Sequence, residues 1–190
     1  MQKMKTIGTC LAMLAGLAGT QVATGQTLDL GVKAGVNYGM LHSGAGAVSD
    51  ASGKTGWHVG LFARTGNDFY FQPEVNYTSF SSEFSYEGQV YEPRFRQLNV
   101  PLMAGYRIIS NGNMNLRVSA GPDVNLNLNT PVAPQATSYR RFTVGGVLNA
   151  GVDLGRATFD VRYSRGLTDI NEGLKQKTGV LGFSVGFKIQ

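Results

Sequence analysis

Cysteine and histidine are almost missing: Cys10, His42 and His58 are the whole supply in 190 residues. Cys10 lies early in an apolar stretch from Ile7 to Ala18, which follows Lys3 and Lys5 and leads into Val22, Ala23, Thr24 and Gly25. A basic start, an apolar middle and a small-residue end make a secretory signal peptide, so residues 1–25 are expected to be removed, leaving Gln26 first in a 26–190 domain. Cys10 is too far from the end of the apolar stretch to be a lipoprotein cysteine and would leave with the peptide. Disulfides, thiol catalysis and cysteine metal sites are then excluded by counting. His58 has no second ligand at a metal-site spacing. Gly44, Gly46 and Gly53 lack the lysine and helix of a phosphate loop and read as mobile loop. No cofactor, metal or catalytic residue is expected.

Charge of one sign is also scarce, with 17 basic against 12 acidic residues before Lys3 and Lys5 are removed. The charges are scattered through the chain, which argues against a nucleic-acid partner. Beyond the signal, no run approaches the ~18 consecutive apolar residues of a membrane helix.

What is present is alternation. Leu28, Leu30, Val32, Ala34, Val36, Tyr38 and Met40 share one parity, and Asp29, Gly31, Lys33, Gly35, Asn37 and Gly39 the other. The pattern recurs and predicts strands over 28–41, 55–65, 68–80, 95–109, 113–128, 142–154, 157–166 and 179–189. Ordinary strands run ~5 to 6 residues, whereas strands that cross a bilayer at a tilt need ~9 to 11. The fold expected is all-β, an eight-stranded antiparallel up-and-down transmembrane β-barrel in the bacterial outer membrane.

One face is apolar, with Trp57, Leu61, Phe69, Phe71, Leu98, Tyr106, Phe142, Phe159, Tyr163, Phe183 and Phe187 among its members. The other is polar or tiny and should line the lumen, where Asp29, Lys33, Arg64, Glu74, Arg107, Arg117, Asp153, Asp160, Arg162 and Lys188 are expected to form a structural charge network. An eight-stranded barrel is just wide enough for its own side chains to fill, so the network reads as a plug. His58 is placed in the lumen across from Asn76. The same alternation also allows an inverted reading, a soluble lipocalin-like carrier with its apolar face inward; the charged opposite face, long strands and asymmetric loops argue against it.

Connections alternate short and long. Short ones fall at Gly66-Asn67, Asn111-Gly112 and Gly155-Arg156; long ones are expected before Lys54, from Ser81 to Arg94, from Asn129 to Arg141 and from Gly166 to Thr178. With an even strand number both termini share the short-turn rim, which in such barrels faces the periplasm. Parity switches across Gly155-Arg156, which suits a two-residue turn, but not across Asn111-Gly112, so a three-residue Asn111-Gly112-Asn113 loop is predicted there. Arg107 would then face Arg117, an unfavourable pair that needs Asp29, Asp153 or Asp160 nearby. Pro73, Pro101 and Pro122 fall inside predicted strands, where proline removes a ladder donor. Pro101 would face Asp123 beside Pro122, so these two are expected to share a bulge; Pro73 has no such account.

Those prolines carry a resemblance. The segments Gly31 to Tyr38 (GVKAGVNY), Phe71 to Tyr77 (FQPEVNY), Leu98 to Tyr106 (LNVPLMAGY), Ala120 to Val124 (AGPDV), Arg162 to Asp169 (RYSRGLTD) and Gly182 to Ile189 (GFSVGFKI) resemble, in order, the small Gram-negative outer-membrane β-barrel family that includes PorT-like proteins. The resemblance implies an integral outer-membrane barrel and brings no catalytic residues with it. One departure is the terminal Gln190, since such barrels commonly end on an aromatic residue; Phe183, Val185 and Phe187 would serve instead.

The role implied is non-enzymatic and either structural or surface-interacting, in a monomer. Its partners would be outer-membrane lipid and lipopolysaccharide, with a protein or glycan ligand at the long loops. Loop aromatics Phe84, Tyr86, Tyr91 and Tyr139 and the arginines Arg94, Arg140 and Arg141 suit such contacts or interfacial anchoring. Alternatives are a narrow pore, a secretion accessory barrel, or a lipid-modifying barrel enzyme built on His42 and Ser43 with Asp50 or Glu83.

Overall fold

A computed structural model describes residues 28–43, 48–86, 89–92, 94–129, 140–169 and 176–189. Nine strands follow one another: β1 Leu28–Ser43, β2 Val48–Gly66, β3 Phe69–Tyr86, β4 Gln89–Tyr91, β5 Arg94–Asn111, β6 Met114–Asn127, β7 Phe142–Leu154, β8 Ala157–Gly166 and β9 Gln176–Lys188. All pairings are antiparallel, successive staves pair with one another, and β1 pairs with β9, so the sheet closes on itself. Eight strands are staves of the closed barrel. The short β4 pairs only with β3, in the same register that joins β3 to β5, and so continues the β5 arm of one long hairpin.

Alternation sets the two faces. On the outside stand Phe69 at 78%, Leu61 at 61% and Phe142 at 57% exposure, whereas inside Arg117 is at 0% and Arg64 and Glu74 at 1%. Charge is buried and apolar surface exposed, the reverse of a water-soluble barrel, and the lipocalin-like reading falls on this inversion. The lumen is not wholly polar or tiny, however. Phe62, Tyr70, Phe80, Phe95 and Met103 are also buried, all at the inward parity of their strands.

Short turns and strand ends share one rim, where Asp29 pairs with Arg64, Ile189 N–H donates to Leu30 C=O at 2.7 Å, and Leu154 faces Ala157 across the two-residue Gly155-Arg156 turn. The β5–β6 turn corrects the expected loop. Asn111 pairs with Met114 around a two-residue Gly112-Asn113 turn, and the register shifts between Arg107 and Ile109 instead. Parity demanded one extra residue, and a β-bulge at Ile108 takes it so that the tight turn is kept. Gly112 at φ 43° supplies the left-handed first position of that turn.

At the opposite rim two of the expected long connections are in good part strand. β1 reaches Ser43 and β2 starts at Val48, with Gly53 paired to Ser82, so Gly53 belongs to a ladder and not to a mobile loop. In place of the expected connection from Ser81 to Arg94, β3 runs on to Tyr86 and pairs with β4, Tyr86 facing Gln89. Backbone pairing continues beyond the apolar belt: β3 meets β4 there in the register that joins it to β5, and it meets β2 through register shifts between Ser49 and Ser52 and between Gly53 and Trp57.

The prolines lie in one patch. Leu102 faces Pro73 on β3, the β5–β6 register places Pro122 on its other side, and Pro101 precedes it while facing Asp123. No register shift occurs there, so the expected shared bulge is absent; the ladder omits a few pairs locally while its register runs through. This arrangement also accounts for Pro73, whose missing donor falls in the same interruption. Gly121 is required beside it, since a Cβ would stand 1.9 Å from Leu102 O.

Candidate functional site

The inward parity of β1, β2, β3, β5, β6, β7, β8 and β9 brings the ten charged residues into two ion clusters. Nearer the short-turn rim, Asp153 accepts from Arg64 Nη1 at 2.6 Å and from Arg117 Nε at 2.9 Å, with Lys188 Nζ at 3.8 Å. Arg117 Nη1 also meets Asp160 at 2.8 Å. Nearer the middle, Glu74 is paired with Lys33 and with Arg162 Nη2, the latter at 2.8 Å.

Gln72 joins the clusters. Its Oε1 accepts from Arg64 Nε at 2.7 Å while its Nε2 donates to Glu74 Oε1 at 2.6 Å. This carboxamide was legible as a lumen residue but carries no charge to mark its role. Arg107 does face Arg117, and the two are held apart by different partners. Arg117 takes Asp153 and Asp160, whereas Arg107 turns to Asp29 at 3.6 Å and donates to Asn67 O at 2.7 Å. The Tyr70 ring lies 5.3 Å from the Arg64 guanidinium and 5.8 Å from that of Arg107.

Each of these ten charges has an opposite partner within 4 Å, which is the condition for keeping ions in a confined space, while several buried polar atoms, Asp123 Oδ1 among them, have no hydrogen-bond partner among the described residues. At the far rim Phe80 and Phe95 are paired and stacked, ring centroids 5.1 Å apart. Sequence reasoning missed this stack, although the parity of Thr78 and Gln97 points both rings inward.

His58 stands opposite Thr78 and Gly35, one pair removed from the expected partner Asn76, and its Nδ1 lies 2.6 Å from Asn37 Oδ1. Of the hydrolase candidates, the side chains of His42, Ser43 and Asp50 lie outside the described residues, as do those of Phe84, Tyr86 and Tyr91, all of Tyr139, Gly44 and Gly46, and the terminal Gln190. Glu83 is paired with Lys54 at 2.8 Å, and Lys54 also reaches Glu92 at 3.1 Å. These pairs tie the outer part of β2 to the hairpin. The hydrogen bonds that Lys54 donates to Glu83 and Glu92, that to Glu83 first, hold its ammonium above its ordinary range.

The rim arginines are gathered by backbone contacts. Asn129 Oδ1 accepts from Arg96 N–H at 2.8 Å and its Nδ2 donates to Arg94 C=O at 2.7 Å, while Asn127 Nδ2 donates to Arg140 C=O at 2.6 Å. Arg94, Arg96, Arg140 and Arg141 are all exposed there.

An inside-out barrel of this size has known counterparts. The family model described as "Outer membrane protein beta-barrel domain" matches residues 21–172. The chain belongs to this family. It is an outer-membrane β-barrel protein, and the family match carries that broad grouping and not the narrower PorT-like one. Among solved structures, the chain is similar to Neisserial surface protein A, with TM-score 0.55, 16% identity and coverage of 84% of this chain and 97% of that one. It is also similar to Ail, the attachment invasion locus protein of Yersinia pestis, solved in complex with the heparin analogue sucrose octasulfate, with TM-score 0.51, 13% identity and coverage of 85% and 99%. At such identities the likeness is one of fold. No curated protein matches the chain in sequence.

Proposed function

We propose that the mature 26–190 chain is a monomeric, non-conducting and non-enzymatic outer-membrane barrel that acts at the cell surface. The observation that carries this reading is the contrast between the two halves of the molecule. The lumen is filled by matched ion pairs, so Asp29, Lys33, Arg64, Glu74, Arg107, Arg117, Asp153, Asp160, Arg162 and Lys188 serve as a structural plug. The outer ends of β2, β3 and β4 meanwhile run beyond the apolar belt as a projecting sheet.

The partner favoured is anionic glycan, in the first place the phosphorylated sugars of lipopolysaccharide. Arg94, Arg96 and Arg140 sit just past the outward Leu98, Leu126 and Phe142, at the level where phosphates would border the acyl region, and guanidinium pairs with phosphate in a bidentate fork. That the similarly folded Ail was solved with a sulfated sugar is in keeping with such a surface.

The test is binding of the folded protein to lipopolysaccharide and to its dephosphorylated form. Arg94→Ala/Arg96→Ala/Arg140→Ala is expected to weaken binding to the phosphorylated form at least about tenfold, with a salt dependence that the variant lacks. Equal affinity of wild type and variant would remove the arginine surface from the account.

A further inference from the structure

The plug does not fill the barrel to its far rim. Above Glu74 and Arg162, on the long-connection side, the lumen opens into a cavity of about 50 Å³. One wall is a set of carboxamides on three adjacent strands. Asn76, Asn99 and Asn125 stand in one cross-strand row, and Gln97 with Thr78 in the next. Across the lumen from β5, the β9 wall offers Gly182 beside Val180 and Thr178, and the missing side chain at Gly182 leaves space there.

Several polar atoms of this wall have no hydrogen-bond partner among the described residues. They are the donors Asn37 Nδ2 and Arg162 Nε and the acceptors Asn76 Oδ1, Asn99 Oδ1 and Asp123 Oδ1. Asn37, Asn76 and Asp123 are each at 5% exposure or less. Buried polar atoms normally find partners in protein, in ordered water or in ligand. Here the residues that carry the unmatched donors and acceptors line one space.

We propose that this cavity binds the hydroxyl-bearing end of a small neutral polyol or sugar inserted from the long-connection rim. A hydroxyl both donates and accepts, which suits a wall that presents both kinds of atom. An anion would meet Asp123, and a cation would meet Arg162, whose charge is already matched by Glu74. At roughly 10 to 15 Å³ for each water-sized position, the space takes a glycerol-sized group and not a whole oligosaccharide.

The test uses the folded, ¹⁵N-labelled protein in micelles of a detergent without hydroxyls, titrated with glycerol and with methyl α-glucopyranoside. Saturable shifts in the side-chain amides of Asn37, Asn76 and Asn99 are expected. Asn99→Leu removes both a donor and an acceptor and should abolish them. Gly182→Ala keeps every polar group and adds a methyl 3.2 Å from Asn37 Oδ1; it should weaken binding several-fold while the unboiled protein keeps its folded gel mobility. Shifts that grow linearly without saturation mean that the cavity holds water only and overturn the proposal. So does unchanged binding in folded Gly182→Ala, and glucuronate binding as tightly as the glucoside would overturn the neutral assignment.

Discussion

Asp153 carries more of the interior than any other carboxylate, since Arg64, Arg117 and Lys188 all converge on it. Asp153→Asn would leave the buried Arg64 guanidinium without its main counter-charge and Arg117 with Asp160 alone. Breaking one side of a buried ion pair costs ~3 to 5 kcal/mol, so the urea midpoint, followed through Trp57 fluorescence, is expected to fall by a corresponding amount; a midpoint within about 0.5 kcal/mol of wild type, the size of an ordinary surface substitution, would sink this view of the plug. Gly35→Ala tests space instead of charge. Its Cβ would lie 2.0 Å from Phe183 O on the neighbouring strand, and the folded, heat-modifiable form is expected to be lost. All ten charged positions could be placed on the lumen face by parity alone. Which carboxylate meets which guanidinium could not, because partners such as Arg64 and Asp153 are joined across the lumen and not along a ladder. Gln72 escaped notice for a related reason: its amide acts by geometry between two clusters, and nothing in its residue type announces that.

At the scale of elements, the β5–β6 connection shows where sequence parity stops. The need for one extra residue was readable, but a bulge and a longer loop satisfy the same count, and the choice rests on the tight turn that Gly112 permits. Gly112→Ala should therefore cost about 1 kcal/mol, visible as a small drop in urea midpoint, because alanine resists a positive φ. The β3–β4 hairpin was read as loop because serines and charges replace the apolar alternation after Thr78, although backbone pairing needs no apolar face once it leaves the belt. Lys54 fastens this hairpin to β2. Its pKa is raised above 10.5 in the folded protein, so the stitch is fully present below that value and is lost as pH rises through the higher folded value. A ¹⁵N titration of the Lys54 ammonium is expected to give a midpoint above 10.5 that returns towards it in Glu83→Gln; an unshifted wild-type midpoint would dissolve the link.

For the whole molecule, a closed eight-staved barrel with matched charges across its interior should not conduct. No reproducible single-channel steps are expected in planar bilayers, and unboiled protein should migrate differently from boiled protein on gels; steady steps would return the pore reading. The eight staves, the two faces, the shared rim of turns and termini and the membrane setting followed from the order of residues, because a two-residue period and long alternating runs are local properties that any one strand displays; the outer extensions of β2 and β3 and the short β4 did not. Closure by the β1–β9 pairing, the choice of ion partners, the gathering of three prolines around Leu102 and the space opposite Gly182 were decided only when eight strands met. Each depends on atoms from strands far apart in the chain, and their distances are set by curvature and register together, which no single segment encodes.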